Sequence, residues 1–119
     1  LMFNAAQAQD QEQNPEDYEV MLPPKAQKCV LPSSPDAISE EASYDELVAA
    51  KKQIAIFQTE VQTFRDCLNA ADEDPDNTPG NKQAIVESFN YSVEMEERIA
   101  ERFNAAVRDY KARKAAAEG

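Results

Sequence analysis

The feature that most constrains this chain is a run of apolar residues that recur at alternating steps of three and four positions. The run consists of Leu47, Ala50, Ile54, Phe57, Val61, Phe64, Leu68 and Ala71. Such spacing keeps a narrow apolar stripe on one side of an α-helix, and it does not fit the two-residue alternation of a β-strand. Ser43 and Glu46 match a capping box at the start, and Pro75 disfavours helical angles in the residue before it. We therefore predict a helix over residues 43–73.

A second stripe with the same steps follows, and it is wider. Its positions are Ile85, Phe89, Ser92, Glu96, Ile99, Phe103, Ala106 and Tyr110, with further apolar residues beside them. We predict a loop over residues 74–80 and a helix over residues 81–116, with Thr78 or Asn81 as the N-cap and a frayed end beyond Tyr110. The predicted fold class is all-α, an antiparallel two-helix hairpin of coiled-coil type over residues 43–117. The wider stripe favours contact with a further helix or subunit.

The residues before the hairpin differ in composition, since five of the seven prolines and many acids lie there. We predict an acidic, largely irregular, extended arm over residues 9–42, with one short helical turn at residues 38–41. An apolar island within the arm consists of Tyr18, Val20, Met21 and Leu22. It either docks on the helices or on a partner, or it is a chance cluster in a disordered tail.

The first eight residues point to export. Leu1, Met2 and Phe3, followed by the small-residue sequence Ala6-Gln7-Ala8, are typical of the end of a signal peptide, although the charged leading region is missing. Residues 1–8 are interpreted as a signal-peptide remnant, and the alternative is an ordinary N-terminal segment. No later stretch approaches the roughly 18 apolar residues of a membrane span. We expect a periplasmic protein without a transmembrane segment.

The two cysteines, Cys29 and Cys67, support the same compartment. An even number of cysteines in a small exported chain predicts a disulfide, which would stabilise the fold by roughly 3 to 4 kcal/mol for a loop of this length. The alternative is two unrelated thiols. A zinc site is disfavoured because the chain has no histidine and two thiolates do not complete a tetrahedral shell.

The formal net charge of −11 and the pI of about 4.3 argue against nucleic acid as a partner, because an acidic chain repels phosphate. The charge is uneven along the chain. It is −8 over residues 1–46, −6 over residues 47–97 and +3 over residues 98–119. The basic end is too mixed with acids to reverse that conclusion.

The acids of the predicted loop resemble the first ligands of a calcium-binding loop. Asp72, Asp74 and Asp76 have the required spacing, but Asn77 stands where such a loop needs glycine, and Gln83 replaces the bidentate glutamate. We therefore interpret the segment as a solvated acidic turn, with weak cation binding as the alternative.

No other motif meets a reaction template. Glu96 occupies a stripe position without a base or nucleophile beside it in sequence, so we expect it at the solvent edge or setting the pairing register. The phenylalanines at helical spacing are interpreted as core residues. The sequon Asn90-Tyr91-Ser92 is discounted because it lies within a predicted helix. With two glycines in the chain there is no phosphate-binding loop, and neither an enzyme nor a cofactor is predicted.

The proline-flanked Cys29, the segment Phe64-Arg65-Asp66-Cys67-Leu68 and the run from Glu97 to Arg113 give the chain a family resemblance. It resembles small uncharacterised exported helical-hairpin proteins of Gram-negative, especially alphaproteobacterial, genomes. The resemblance covers most of residues 29–113. It implies a periplasmic location and a disulfide, and it implies no activity.

These observations predict a non-catalytic periplasmic module that binds another protein or itself, for instance as an accessory subunit of an envelope or membrane-associated complex. The predicted interaction face lies on the second helix and consists of Val86, Phe89, Val93, Ala100, Phe103, Val107 and Tyr110. The alternative is a carrier that holds a small molecule between the helices or a cation at the turn of Asp72 to Asp76.

Overall fold

A computed structural model describes residues 14–119 of the chain. Its elements are a 3-10 turn at Pro15–Tyr18, a one-turn helix α1 at Pro24–Gln27, and two long helices, α2 at Tyr44–Asp72 and α3 at Pro79–Glu118. Within this range there is no strand, and the two long helices are in contact. The all-α class predicted from the apolar spacing is therefore confirmed. The signal-peptide prediction for residues 1–8 lies outside the described residues.

Helix α2 begins at the predicted cap. The Ser43 hydroxyl accepts a hydrogen bond from the Glu46 amide, and the Glu46 carboxylate accepts one from the Ser43 amide, both at 3.1 Å. Two of the free N–H groups at the helix start are thus satisfied reciprocally. At the other end the Asn77 side chain donates to the Ala71 carbonyl at 2.8 Å, which satisfies one of the last carbonyls.

Helix α3 begins at Pro79, two residues before the predicted start at residue 81. Thr78 is the N-cap, and its hydroxyl accepts from the Asn81 amide while the Asn81 side chain accepts from the Thr78 amide, both at 3.0 Å. Asn81 is therefore the reciprocal partner within the first turn, and the alternative that it caps the helix was wrong. Pro79 is tolerated because the first helical amide has no partner within the helix.

The far end of α3 also differs from the prediction. The helix continues to Glu118, and the fraying expected after Tyr110 is not seen. The Arg113 guanidinium donates to the backbone carbonyls of Glu40 and Ala42, the latter at 2.7 Å, and Ala42 is buried. This contact ties the last turns of α3 to the segment just before α2.

The core lies between the two long helices and falls into two clusters of buried residues. The first consists of Ala26, Phe64, Leu68, Ala71 and Ile85, and the second of Phe57, Val61, Met95 and Ile99. The stripe predicted on α2 supplies most of this core. On α3 the predicted stripe is buried at Ile85, Ser92 and Ile99, but Met95 is buried in place of Glu96, which is half-exposed. This single difference follows from chemistry, because the thioether has no strongly hydrated group to bury, whereas the carboxylate keeps part of its hydration at the edge.

Among residues 14–119 no helix has the length and apolar character needed to cross a membrane. The short helical turn predicted at residues 38–41 is reduced to one hydrogen-bonded turn, in which the Ala42 amide donates to the Ser39 carbonyl at 3.2 Å. The arm also forms α1 at Pro24–Gln27, which was not predicted. Pro24 stands at the first helical position of α1, where its fixed φ and missing N–H carry no penalty.

Candidate interaction surface

The arm is joined covalently to α2. Cys29 and Cys67 form a disulfide, with Cα atoms 5.6 Å apart and 38 positions between them in sequence. The predicted pairing is confirmed, and the alternative of two unrelated thiols was wrong. Near the disulfide in sequence, Ala26 belongs to the first core cluster and is only 1% exposed. Leu22 is half-buried and packs against the same cluster. The arm therefore completes the core at this end of the helix pair.

Non-covalent contacts hold the same part of the arm to the start of α3. The Asn81 side chain donates to the Met21 carbonyl at 2.7 Å. Gly80 lies directly under the arm backbone, and a Cβ at this position would meet the Glu19 carbonyl oxygen and lie 2.6 Å from its carbon. Only glycine permits this approach, because any side chain would displace the arm. Asn81 and Gly80 thus fix the position of the acidic segment that precedes Leu22.

The apolar island of the arm is divided by this arrangement. Leu22 contacts the core, whereas Tyr18, Val20 and Met21 are 54%, 47% and 53% exposed. The acids Glu16 and Glu19 neighbour these residues in the sequence and are exposed as well. A contact of the island with a partner stays a prediction for the three exposed side chains.

A second apolar surface lies at the opposite end of α3. It is an open groove, termed here the tyrosine groove, between the first turns of α2 and the last third of α3. Its lining consists of Tyr44, Leu47, Val48, Lys51, Phe103, Val107, Tyr110 and Lys111. The Tyr44 and Tyr110 rings lie 6.3 Å apart at a tilted angle, and Tyr44 is 57% exposed. The groove is therefore apolar along its floor and carries two lysine ammonium groups.

The interaction face predicted on α3 overlaps this groove in three residues, Phe103, Val107 and Tyr110. The remaining four lie towards the start of the helix. Of these, Val86 is exposed and the other three, Phe89, Val93 and Ala100, are half-buried beside the core. Three of the seven predicted residues therefore line the tyrosine groove, together with residues of α2 that were not predicted, namely Tyr44, Val48 and Lys51. The most exposed of the seven, Val86, lies near the other end of α3.

A polar cluster separates the two core clusters, and its centre, Arg65, was missed from the sequence. The Arg65 guanidinium donates to the Ser92 hydroxyl at 2.9 Å and to the Ser92 carbonyl at 3.0 Å, and it pairs with the Glu96 carboxylate at 2.8 Å. The same group lies 5.9 Å from the centre of the Phe89 ring. Gln58 donates to the other Glu96 oxygen at 3.3 Å. The sequence did contain a signal for this cluster. Ser92 and Glu96 are polar residues four positions apart in an apolar stripe, and such acceptors need a hydrogen-bond donor on the facing helix.

The acids of the turn bind nearby protein groups separately. Asp72 pairs with Lys82 at 3.3 Å, and Asp74 pairs with Lys25 of α1 at 3.2 Å. The Asp76 amide donates to the Asp74 carboxylate at 3.0 Å. That backbone hydrogen bond, followed by the Lys25 ammonium, holds the pKa of Asp74 below its usual value. Across the described part of the chain no three histidine, cysteine, aspartate or glutamate side chains are grouped to hold a metal ion.

The sequon Asn90-Tyr91-Ser92 lies within α3, which is the position for which it was discounted. Ser92 is fully buried and its hydroxyl donates to the Phe89 carbonyl at 2.6 Å, so this residue belongs to the helix interface.

Comparison of the chain with family models, curated proteins and solved structures finds no match.

Proposed function

We propose that the chain is a non-catalytic protein-interaction module of the periplasm, built as an antiparallel coiled-coil-like hairpin that presents the tyrosine groove to a protein partner. The observation that carries this proposal is the groove itself. Val48 and Tyr44 are 39% and 57% exposed there, beside the half-buried Phe103 and Val107. Large apolar side chains grouped in one open groove mark an interaction site, whereas single exposed ones do not.

The order of the contacts between the long helices supports the antiparallel hairpin. Asp72 pairs with Lys82, Arg65 with Glu96, and Ala42, just before α2, accepts from Arg113. Residue numbers thus rise along α3 as they fall along α2. A connection of a few residues between two long helices is the usual way to build such a pair.

The disulfide supports the periplasmic part of the proposal. Disulfides persist in oxidising compartments such as the bacterial periplasm and are rare in reducing ones. The resemblance to exported helical-hairpin proteins of Gram-negative bacteria supports the same location.

The state of the polar groups supports a non-catalytic role. Arg65 and Glu96 are the charged pair closest to the core, and each is bonded to the other and to Ser92 or Gln58. A catalytic side chain needs a charged or hydrogen-bonding atom that is available to the substrate. In these two side chains such atoms are bonded to each other and to neighbouring protein groups. The cluster holds the helices together, and no observation on the described residues favours the alternative of a small-molecule or cation carrier.

A photocrosslinking experiment in a Gram-negative host tests the proposal. A photoreactive residue replaces Val48 in the groove, and in the control chain it replaces Ile56, which is also a β-branched, exposed residue of α2 but lies outside the groove lining. We expect a discrete crosslinked protein from position 48 and none from position 56. Equal or absent crosslinking from both positions would contradict the proposal.

A further inference from the structure

Two of the exposed apolar surfaces in the described part of the chain, residues 14–119, differ in the charged residues that they carry. The first, termed here the arm patch, comprises the exposed residues Tyr18, Val20 and Met21 together with Glu16 and Glu19, which are exposed and lie within a few positions of them in the sequence. The second is the tyrosine groove, which carries Lys51 and Lys111. Residues 98–119, which form the α3 side of the groove, have a net charge of +3 in a chain whose total is −11. Each surface therefore offers apolar contact area together with the charge that the other one lacks.

One molecule cannot bring these surfaces together. The arm patch is fixed at the start of α3 by the Asn81 bond to Met21 and by the close approach at Gly80. The groove is lined by α3 residues from Phe103 to Lys111. At 1.5 Å per residue, the helix separates Gly80 from Val107 by about 40 Å. Contact between the surfaces therefore requires two copies of the chain.

We infer that the tyrosine groove of one copy binds the arm patch of a second copy, so that the molecules associate head to tail. This inference rests on the proposed function and names the partner for the groove. The lysine ammonium groups of the groove meet the glutamates of the arm patch, and the exposed Tyr18, Val20 and Met21 side chains cover the apolar floor. The two contacting surfaces lie towards opposite ends of α3, so two copies either pair antiparallel and close both contacts in a dimer, or add end to end into a longer assembly. The contact is small compared with a standard interface of roughly 1,600 Å², so the association depends on concentration.

Analytical ultracentrifugation of the purified chain from 10 µM to 1 mM tests the inference. The monomer mass is 13.3 kDa. We expect the weight-average mass of the wild type to rise from that of the monomer to that of a dimer or beyond as concentration increases. The variant K51E/K111E reverses the charge of the groove, and E16K/E19K reverses that of the arm patch, and each is expected to stay monomeric over the same range.

Matched controls separate local charge from total charge. K52E/K114E has the same net charge as the groove variant, but neither residue lines the groove. E60K/E73K plays the same part for the arm variant. Both controls are expected to associate as the wild type does. Every substituted residue is exposed. Circular dichroism checks that each variant is folded. If the charge-reversed groove variant loses helicity, the variant K51Q/K111Q replaces it.

A charge-swapped chain supplies the decisive measurement. The variant K51E/K111E/E16K/E19K restores opposite charges between the two surfaces with the wild-type net charge, and it is expected to associate again. A wild type that stays monomeric at 1 mM would overturn the inference, as would a swapped chain that fails to recover. If the wild type is monomeric while position 48 still crosslinks to a different protein, the second copy is excluded as the partner and the proposed function stands. If the wild type is monomeric and position 48 crosslinks to no protein, both the inference and the proposed function are overturned.

Discussion

Replacing Arg65 by methionine and Glu96 by glutamine, singly and together, measures the free energy of coupling between the two charges at the helix interface. The closest nitrogen–oxygen distance is 2.8 Å, and the side chains are 13% and 28% exposed. At an effective dielectric constant near 20, two unit charges this far apart attract by about 6 kcal/mol. Partial burial removes hydration from both groups and offsets most of that attraction. We expect a coupling free energy of about 1 to 2 kcal/mol, above the 0.2 to 1 kcal/mol of exposed pairs.

The single replacement of Arg65 has a larger effect than the coupling. Methionine keeps the apolar stem but removes both hydrogen bonds to Ser92, each made by a charged donor. Bonds of this kind contribute about 1.5 to 3 kcal/mol each, and water can reach part of the site, so we expect a loss of about 2 to 4 kcal/mol in the free energy of unfolding. Urea denaturation followed by circular dichroism gives this quantity for each chain in the cycle.

The chain contains its own control. Arg108 and Glu101 on α3 form a pair of the same chemistry at 3.3 Å, but their side chains are 65% and 70% exposed. The cycle of Arg108→Met and Glu101→Gln is expected to show coupling of at most about 0.5 kcal/mol. If the inner pair couples no more strongly than this outer pair, the reasoning that burial makes the Arg65 cluster a stabilising link between the helices is refuted.

Three further outcomes are expected. Replacing Cys29 and Cys67 by serine removes the cross-link across 38 positions and lowers the free energy of unfolding by about 4 kcal/mol, as measured by urea denaturation. Replacing Gly80 by alanine, which stabilises an ordinary exposed helical site by about 1 kcal/mol, instead destabilises this protein by about 1 to 3 kcal/mol because the new methyl group meets the Glu19 carbonyl. Since the pKa of Asp74 is lowered in the folded state, its contribution to stability is complete above the ordinary aspartate pKa of about 3.9 and is lost as the pH falls below it.

Each of these outcomes has a result that contradicts it. For the disulfide, a change below about 1 kcal/mol relative to the oxidised wild type would show that the arm does not depend on the cross-link. For Gly80, an alanine variant as stable as the wild type would mean that the arm backbone does not lie against α3. For Asp74, the melting temperatures of the wild type and of Asp74→Asn should differ at pH 7 and converge towards pH 3; a difference that is constant with pH would be inconsistent with the pairing.

The helices themselves could be predicted from local patterns. Ser43 with Glu46 gave the start of α2, and Pro75 with its neighbours gave the end of it to within one residue. The start of α3 was placed two residues late, because Thr78 and Asn81 are both good capping residues. Only the reciprocal hydrogen bonds show which of them is the cap.

The arm and its island were harder to predict, because they depend on contacts between distant residues. The position of Leu22 against the core follows from the disulfide and from the approach at Gly80, some 60 positions later in the chain. The contact of Arg113 near the end of α3 depends on partners that lie before α2, more than 70 positions earlier in the chain. Neither contact has a local sequence signature.

The sequence by itself determined the all-α class, the two long helices and the pairing of the cysteines, since these depend on spacing, capping and residue number. The tertiary structure alone decided that Arg65 sits between two apolar clusters, with Ser92 and Glu96 as its partners. It also decided that Phe103, Val107 and Tyr110 of α3 share one groove with Tyr44 and Val48 of α2. The physical reason is that helix periodicity is a property of neighbouring residues, whereas the register between helices is set by which buried polar groups can satisfy each other.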